Sequence, residues 1–142
     1  MMLWLSFCGF ILLLLGGIHV YWAFGGKWGA SAALPTKAGS QQTLFVPGAA
    51  GTSIVACLLF CAAMLLLMQG RLLPVFLGAA FIQWCCWACA AAFMLRTIGD
   101  FSYVGLFRKV RITRFAKFDL YLFTPLCLLL SAAFFAAATL EP

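Results

Sequence analysis

Charge is what this chain lacks most. Its 142 residues include nine basic and three acidic side chains and one histidine. None of the charged ones falls within four long apolar runs, at about 3–24, 49–68, 72–95 and 120–140. Also missing are a nucleophile elbow, an HExxH pair, a phosphate-cradling loop and a dinucleotide fingerprint. The familiar hydrolase, metalloprotease and nucleotide-binding chemistries therefore have no foothold here, and Gly25, Gly26 and Gly29 do not make up such a loop.

What is present is apolar surface. The chain is 66% hydrophobic, with a mean hydropathy of +1.12. A soluble domain of this size cannot hide that much, so lipid must solvate the outside of the fold. Backbone in lipid has to satisfy its own hydrogen bonds, which leaves helices or a closed barrel. The runs are continuous rather than alternating, and each is long enough to cross a hydrocarbon core of about 30 Å at about 1.5 Å per residue. The expected fold is all-α and integral to the membrane: a four-transmembrane-helix bundle forming a single domain over 1–142.

The first run could instead be a cleaved signal, with Ala30-Ser31-Ala32 as the small-residue site. No basic side chain precedes it, and it is longer than a signal core. His19, Tyr21 and Trp22 at its end suit a permanent span anchored at the interface.

Four spans put the first and third connectors on one face and both termini on the other. The first connector holds Lys27 and Lys37; the third holds Arg96, Arg108, Lys109, Arg111, Arg114 and Lys117. Only Arg71 lies opposite. The positive-inside rule places the basic face in the cytoplasm and both termini outside. Topology thus accounts for the net charge of +6 without nucleic acid as a partner. Basic residues beside a bilayer also attract anionic head groups, so membrane lipids are the expected partners, with a membrane-protein partner or a second copy as further possibilities.

The first connector, 25–48, is rich in small residues and broken by Pro35 and Pro47; it reads as irregular, with one short helical turn. Gln69-Gly70-Arg71 reads as a tight link between helices, with Pro74 in the first turn of span three. The third connector, 96–118, mixes basic residues with Phe101, Tyr103, Phe107, Phe115 and Phe118 and suits the head-group layer. Asp119 reads as the cap of span four, and Pro125 as a kink unless neighbours compensate. Ala88/Ala92 and Ala132/Ala136 would let helices approach closely.

The same topology gathers polar groups at one face. Lys27, Arg96, Asp100, Arg108, Arg111, Arg114 and Asp119 form a candidate ligand-binding set whose positive balance favours an anion such as a phosphate or lipid head group. The bland alternative is that Arg96 pairs with Asp100 one turn on, Asp119 only caps, and the arginines only fix topology. Acid–base chemistry would need His19 with an aspartate, which makes His19 and Asp100 the catalytic candidates. Seven cysteines, all in the runs, do not form a disulfide framework. Cys57, Cys61, Met64 and Met68 share a helical stripe, as do Cys85 and Cys89. Softness alone speaks for Cu(I), so neither a metal nor a cofactor is assigned. Cys86 and Cys89 have the Cys-x-x-Cys form, but mid-span placement argues against thiol redox chemistry.

The stretch His19-Val20-Tyr21-Trp22-Ala23-Phe24-Gly25-Gly26-Lys27-Trp28-Gly29 resembles the opening signature of a bacterial four-span family, domain of unknown function 3995. Leu95-Arg96-Thr97-Ile98-Gly99-Asp100-Phe101-Ser102-Tyr103-Val104-Gly105 resembles its second signature. Thr113-Arg114-Phe115-Ala116-Lys117-Phe118-Asp119 with Pro125-Leu126-Cys127 resembles its third. The resemblance covers nearly the whole chain. It implies four spans in a bacterial inner membrane and carries no activity with it. Three functions stay open: binding of an anionic lipid, small anion or membrane partner at the basic face; a small enzyme acting on a lipid-borne substrate; and an accessory or immunity-type subunit.

Overall fold

The computed structural model describes residues 1–37, 39–40, 42–99, 103–109 and 111–140. Asp100 and Phe101 lie outside the described residues. The four apolar runs give four helices long and apolar enough to cross a membrane: Met2–Ala23, Ala49–Gln69, Ala79–Ile98 and Arg114–Thr139. We call the first three α1, α3 and α4. The short helix Ala30–Ala33 is α2, and the fourth span divides into α5 (Arg114–Phe118), a π-helical turn (Asp119–Phe123) and α6 (Thr124–Thr139). Among the described residues the only β pairing is an isolated bridge between Thr36 and Thr43 in the first connector.

Only 22% to 44% of each span is buried by the chain itself, and side chains such as Leu3, Leu14 and Trp84 stand exposed. In lipid that surface needs no protein cover.

Packing between spans relies on small residues and a few polar groups. α1 lies along α3, and a Cβ on Gly9 would come within 2.9 Å of the Leu67 side chain, as would one on Gly16 of the Phe60 ring. α4 lies along α6. Ala88, Ala92 and Ala132 are exposed, so they do not make this close approach. Buried Ala90, Ala133 and Ala137 do, and Ser131 Oγ donates to the Ala90 carbonyl at 2.9 Å. The last carbonyls of a helix have no intrahelical donor. Two of those of α6 accept from glutamine amides: Gln69 Nε2 of α3 donates to Ala137 O at 3.0 Å, and Gln83 Nε2 of α4 to Ala138 O at 2.9 Å.

Two boundaries depart from the sequence reading. α4 begins at Ala79, not at residue 72, so Pro74 lies ahead of the helix rather than in its first turn, and the link from α3 runs over 70–78. Pro74 and Gly78 both resist helix, and the apolar residues between them raise hydropathy without making turns of helix. The fourth span begins earlier than residue 120. Thr113 caps α5, its hydroxyl accepting from Ala116 N–H at 3.1 Å, and helical structure continues through Asp119. α2 of the first connector packs on α5, so the two connectors meet at one end of the bundle.

Pro125 is accommodated by register. It has no N–H for the Tyr121 carbonyl, and its ring would crowd that carbonyl in a regular α-helix. The turn before it widens instead: Thr124 N–H donates to Asp119 O, five residues back.

Candidate functional site

The widened turn stacks residues 119 and 124 on one face, and this sets up the polar centre of the molecule. Thr124 Oγ1 donates to Asp119 Oδ2 at 3.3 Å. Arg108 Nη1 donates to the same oxygen at 3.0 Å, and Gly105 N–H does so at 2.8 Å. Arg96 Nη2, from the last turn of α4, donates to Oδ1 at 2.8 Å. Asp119 is fully buried and is the only acidic side chain among the described residues. Four donors, two of them guanidinium groups, therefore converge on one carboxylate, where low dielectric strengthens each bond.

A folded-back loop makes this possible. α4 ends at Gly99, which has φ of 85°, and the chain returns so that Leu106 N–H donates to Thr97 O at 2.9 Å. Gly105 also has φ of 85°. A Cβ on Gly99 would overlap the Val104 carbonyl, and one on Gly105 would meet Gly99 Cα at 2.6 Å. Only glycine allows both the left-handed backbone and the close approach of the two strands of the loop. The return aims Gly105 N–H at Asp119 and brings in Arg108, whose Nη1 also donates to Gly105 O at 2.7 Å.

This clasp revises one part of the sequence reading. Asp119 is not the cap of the fourth span; its side chain is a hub that joins the end of α4 and the third connector to Thr124 of its own span. Arg96 has a partner 23 residues away in Asp119; Asp100, the partner offered one turn on, lies outside the described residues.

Arg108 also faces a pocket of about 500 Å³ lined by Leu106, Arg108, Arg111, Ala116, Lys117, Leu120 and Tyr121. Arg108 is only 4% exposed, and its Nε–H has no acceptor among the described residues. Arg111, Lys117 and Tyr121 are exposed. Neither Arg111 nor Lys117 forms an ion pair among the described residues. Of the remaining candidates, Arg114 sits over the Phe118 ring at 5.9 Å from its centroid, and Lys27 is exposed beyond α1 without lining the pocket.

Lys117 and Tyr121 were not singled out as ligand groups in the sequence. The clue is their four-residue spacing, which puts them on one face once 114–123 is known to be helical.

His19 stands apart from the clasp. Its Nδ1 lies 2.8 Å from the Leu15 carbonyl, and because a carbonyl only accepts, Nδ1–H is the donor. The ring meets Trp22 edge-on at 5.1 Å, and Trp22 Nε1–H in turn donates to Trp28 O at 2.8 Å. No hydrogen bond joins His19 to Asp119 among the described residues. Cys57 and Cys61 are exposed, Met68 is buried, and no three His, Cys, Asp or Glu side chains cluster among the described residues.

Together these features define a multi-pass membrane protein whose basic end is organised around one buried carboxylate. The chain belongs to the family described as "Protein of unknown function (DUF3995)", which matches residues 12–134. No curated protein and no solved structure matches it.

Proposed function

We propose that this is a bacterial inner-membrane protein that binds an anionic ligand, a lipid head group or a small anion, in the pocket beside the clasp. The observation that carries the reading is the gathering of Arg108, Arg111 and Lys117 around one cavity in which Arg111 and Lys117 have no carboxylate partner among the described residues. Such cations favour an anion that arrives with its own acceptors. Leu106, Ala116 and Leu120 give the same cavity an apolar side, which suits a ligand at the boundary between head groups and acyl chains. By the positive-inside rule the pocket opens to the cytoplasm and both termini lie outside.

The role of the clasp is to hold Arg108. A buried guanidinium is tolerated only when paired and hydrogen-bonded, and Asp119 supplies the pairing without neutralising the pocket.

Native mass spectrometry of protein gently extracted from its own membrane tests the reading. A discrete anionic adduct should survive detergent exchange and disappear in the Arg111→Gln/Lys117→Gln double variant. Bare protein, or an adduct indifferent to both substitutions, would overturn it.

A further inference from the structure

From the pocket's charge and donors we infer the class of anion it takes: a terminal, doubly ionised phosphate, as in a phosphomonoester or pyrophosphate, in preference to a phosphodiester. This rests on the anion-binding reading above and deepens it.

The argument is a count of charges and donors. Arg96, Arg108, Arg111 and Lys117 bring four positive charges to this end of the fourth span, and Asp119 returns one among the described residues. Arg96 and Arg108 share that carboxylate, whereas Arg111 and Lys117 are wholly uncommitted to ion pairs there. A diester, with one charge and two free oxygens, leaves at least one of these cations unmatched. A monoester carries a charge of about −1.5 to −2 near neutrality and three terminal acceptor oxygens.

The donors point the same way. Arg111 presents a planar fork and Lys117 an ammonium group. Tyr121 lines the same pocket. Arg108 lines the same pocket, held in place by Asp119 Oδ2 and Gly105 O. A terminal phosphate offers oxygens in three directions, and a diester phosphate in two. At about 500 Å³ the cavity holds a whole phosphate group with its first ester or anhydride linkage.

Phosphate of this kind could be borne by a lipid or be free in solution. The experiment uses the full-length protein in neutral detergent at pH 8, above the second phosphate pKa of about 6. Native mass spectrometry follows the binding of phosphatidic acid and of phosphatidylglycerol, each titrated alone, with inorganic phosphate as a competitor. Phosphatidic acid should bind at least about tenfold more tightly, the equivalent of one further charge-assisted hydrogen bond. That preference should vanish in Arg111→Gln/Lys117→Gln.

Displacement of phosphatidic acid by millimolar inorganic phosphate would assign the site to the phosphate itself, and resistance would assign it to the lipid-borne form. Equal binding of the two lipids, lost in the double variant, would overturn the preference for a terminal phosphate and leave anion binding standing. Binding of both lipids unaffected by the double variant, or of neither, would overturn anion binding at this pocket as well.

Discussion

Arg108 and Asp119 are 11 residues apart in sequence and 3.0 Å apart in space, both buried, and their contact ties the third connector to the fourth span. Removing one partner of such a pair leaves the other as an uncompensated buried charge. Asp119→Asn strands two guanidinium groups and should destabilise the protein by about 3 kcal/mol, in the range measured for broken buried pairs. Thermal unfolding in detergent measures the loss, and an unchanged midpoint would mean that the clasp contributes nothing to stability.

The glycines of the return loop give an independent check on its geometry. Gly105→Ala places a methyl group 2.5 Å from the Ile98 carbonyl in a left-handed backbone, and should cost about 1–3 kcal/mol. Gly17→Ala, where nothing lies within 4 Å of the added carbon, should leave stability unchanged or slightly raised. Both variants belong in the same thermal assay. A neutral Gly105→Ala would contradict the tight return.

At the opposite end of the bundle, Gln69 and Gln83 should each contribute modestly. Their amides reach Ala137 O and Ala138 O, and interhelical hydrogen bonds in membranes average about 0.6 kcal/mol. Gln83→Leu should therefore shift the unfolding midpoint less than Asp119→Asn does. The reverse order would show that the glutamines, not the clasp, dominate the polar contribution to the fold.

Orientation is tested by labelling. Cysteines placed at Lys37 and Lys109 should be protected from a membrane-impermeant thiol reagent in intact cells, and one at Arg71 should react. A reactive Lys109→Cys variant would put the pocket outside and end the cytoplasmic assignment.

Much of the fold could be read from the sequence because lipid imposes a simple rule. Spans must be apolar, helical and about 20 residues long, and hydropathy detects all three properties at once. The rule misleads where apolar residues are not helical: Leu72, Leu73, Val75, Phe76 and Leu77 look like span, but Pro74 and Gly78 keep them out of α4. The polar centre was legible only as a set of residues sharing a face. Its pairing was not, because Arg96 and Arg108 reach Asp119 across 23 and 11 residues through a loop whose shape depends on Gly99 and Gly105. The π-helical turn gave a single hint in Pro125. Hydropathy carries no information on helical register, so the facing of Asp119 and Thr124 could not be foreseen. Lys117 and Tyr121 do not stand out as a pair in the sequence because residue 117 falls in the third connector and residue 121 in the fourth apolar run, and four-residue spacing has meaning only where both are in one helix.

The most direct test of the central claim compares two pairs of lysine and arginine neutralisations on the same face. Binding of an anionic amphiphile is measured in neutral-lipid nanodiscs for the unmodified protein, for Arg111→Gln/Lys117→Gln at the pocket, and for Lys27→Gln/Lys37→Gln in the first connector. Each double variant removes two positive charges, so a diffuse electrostatic surface would respond equally to both. The pocket account predicts that binding falls at least about tenfold for the Arg111/Lys117 variant and stays nearly unchanged for the Lys27/Lys37 variant. Equal losses in the two would contradict it.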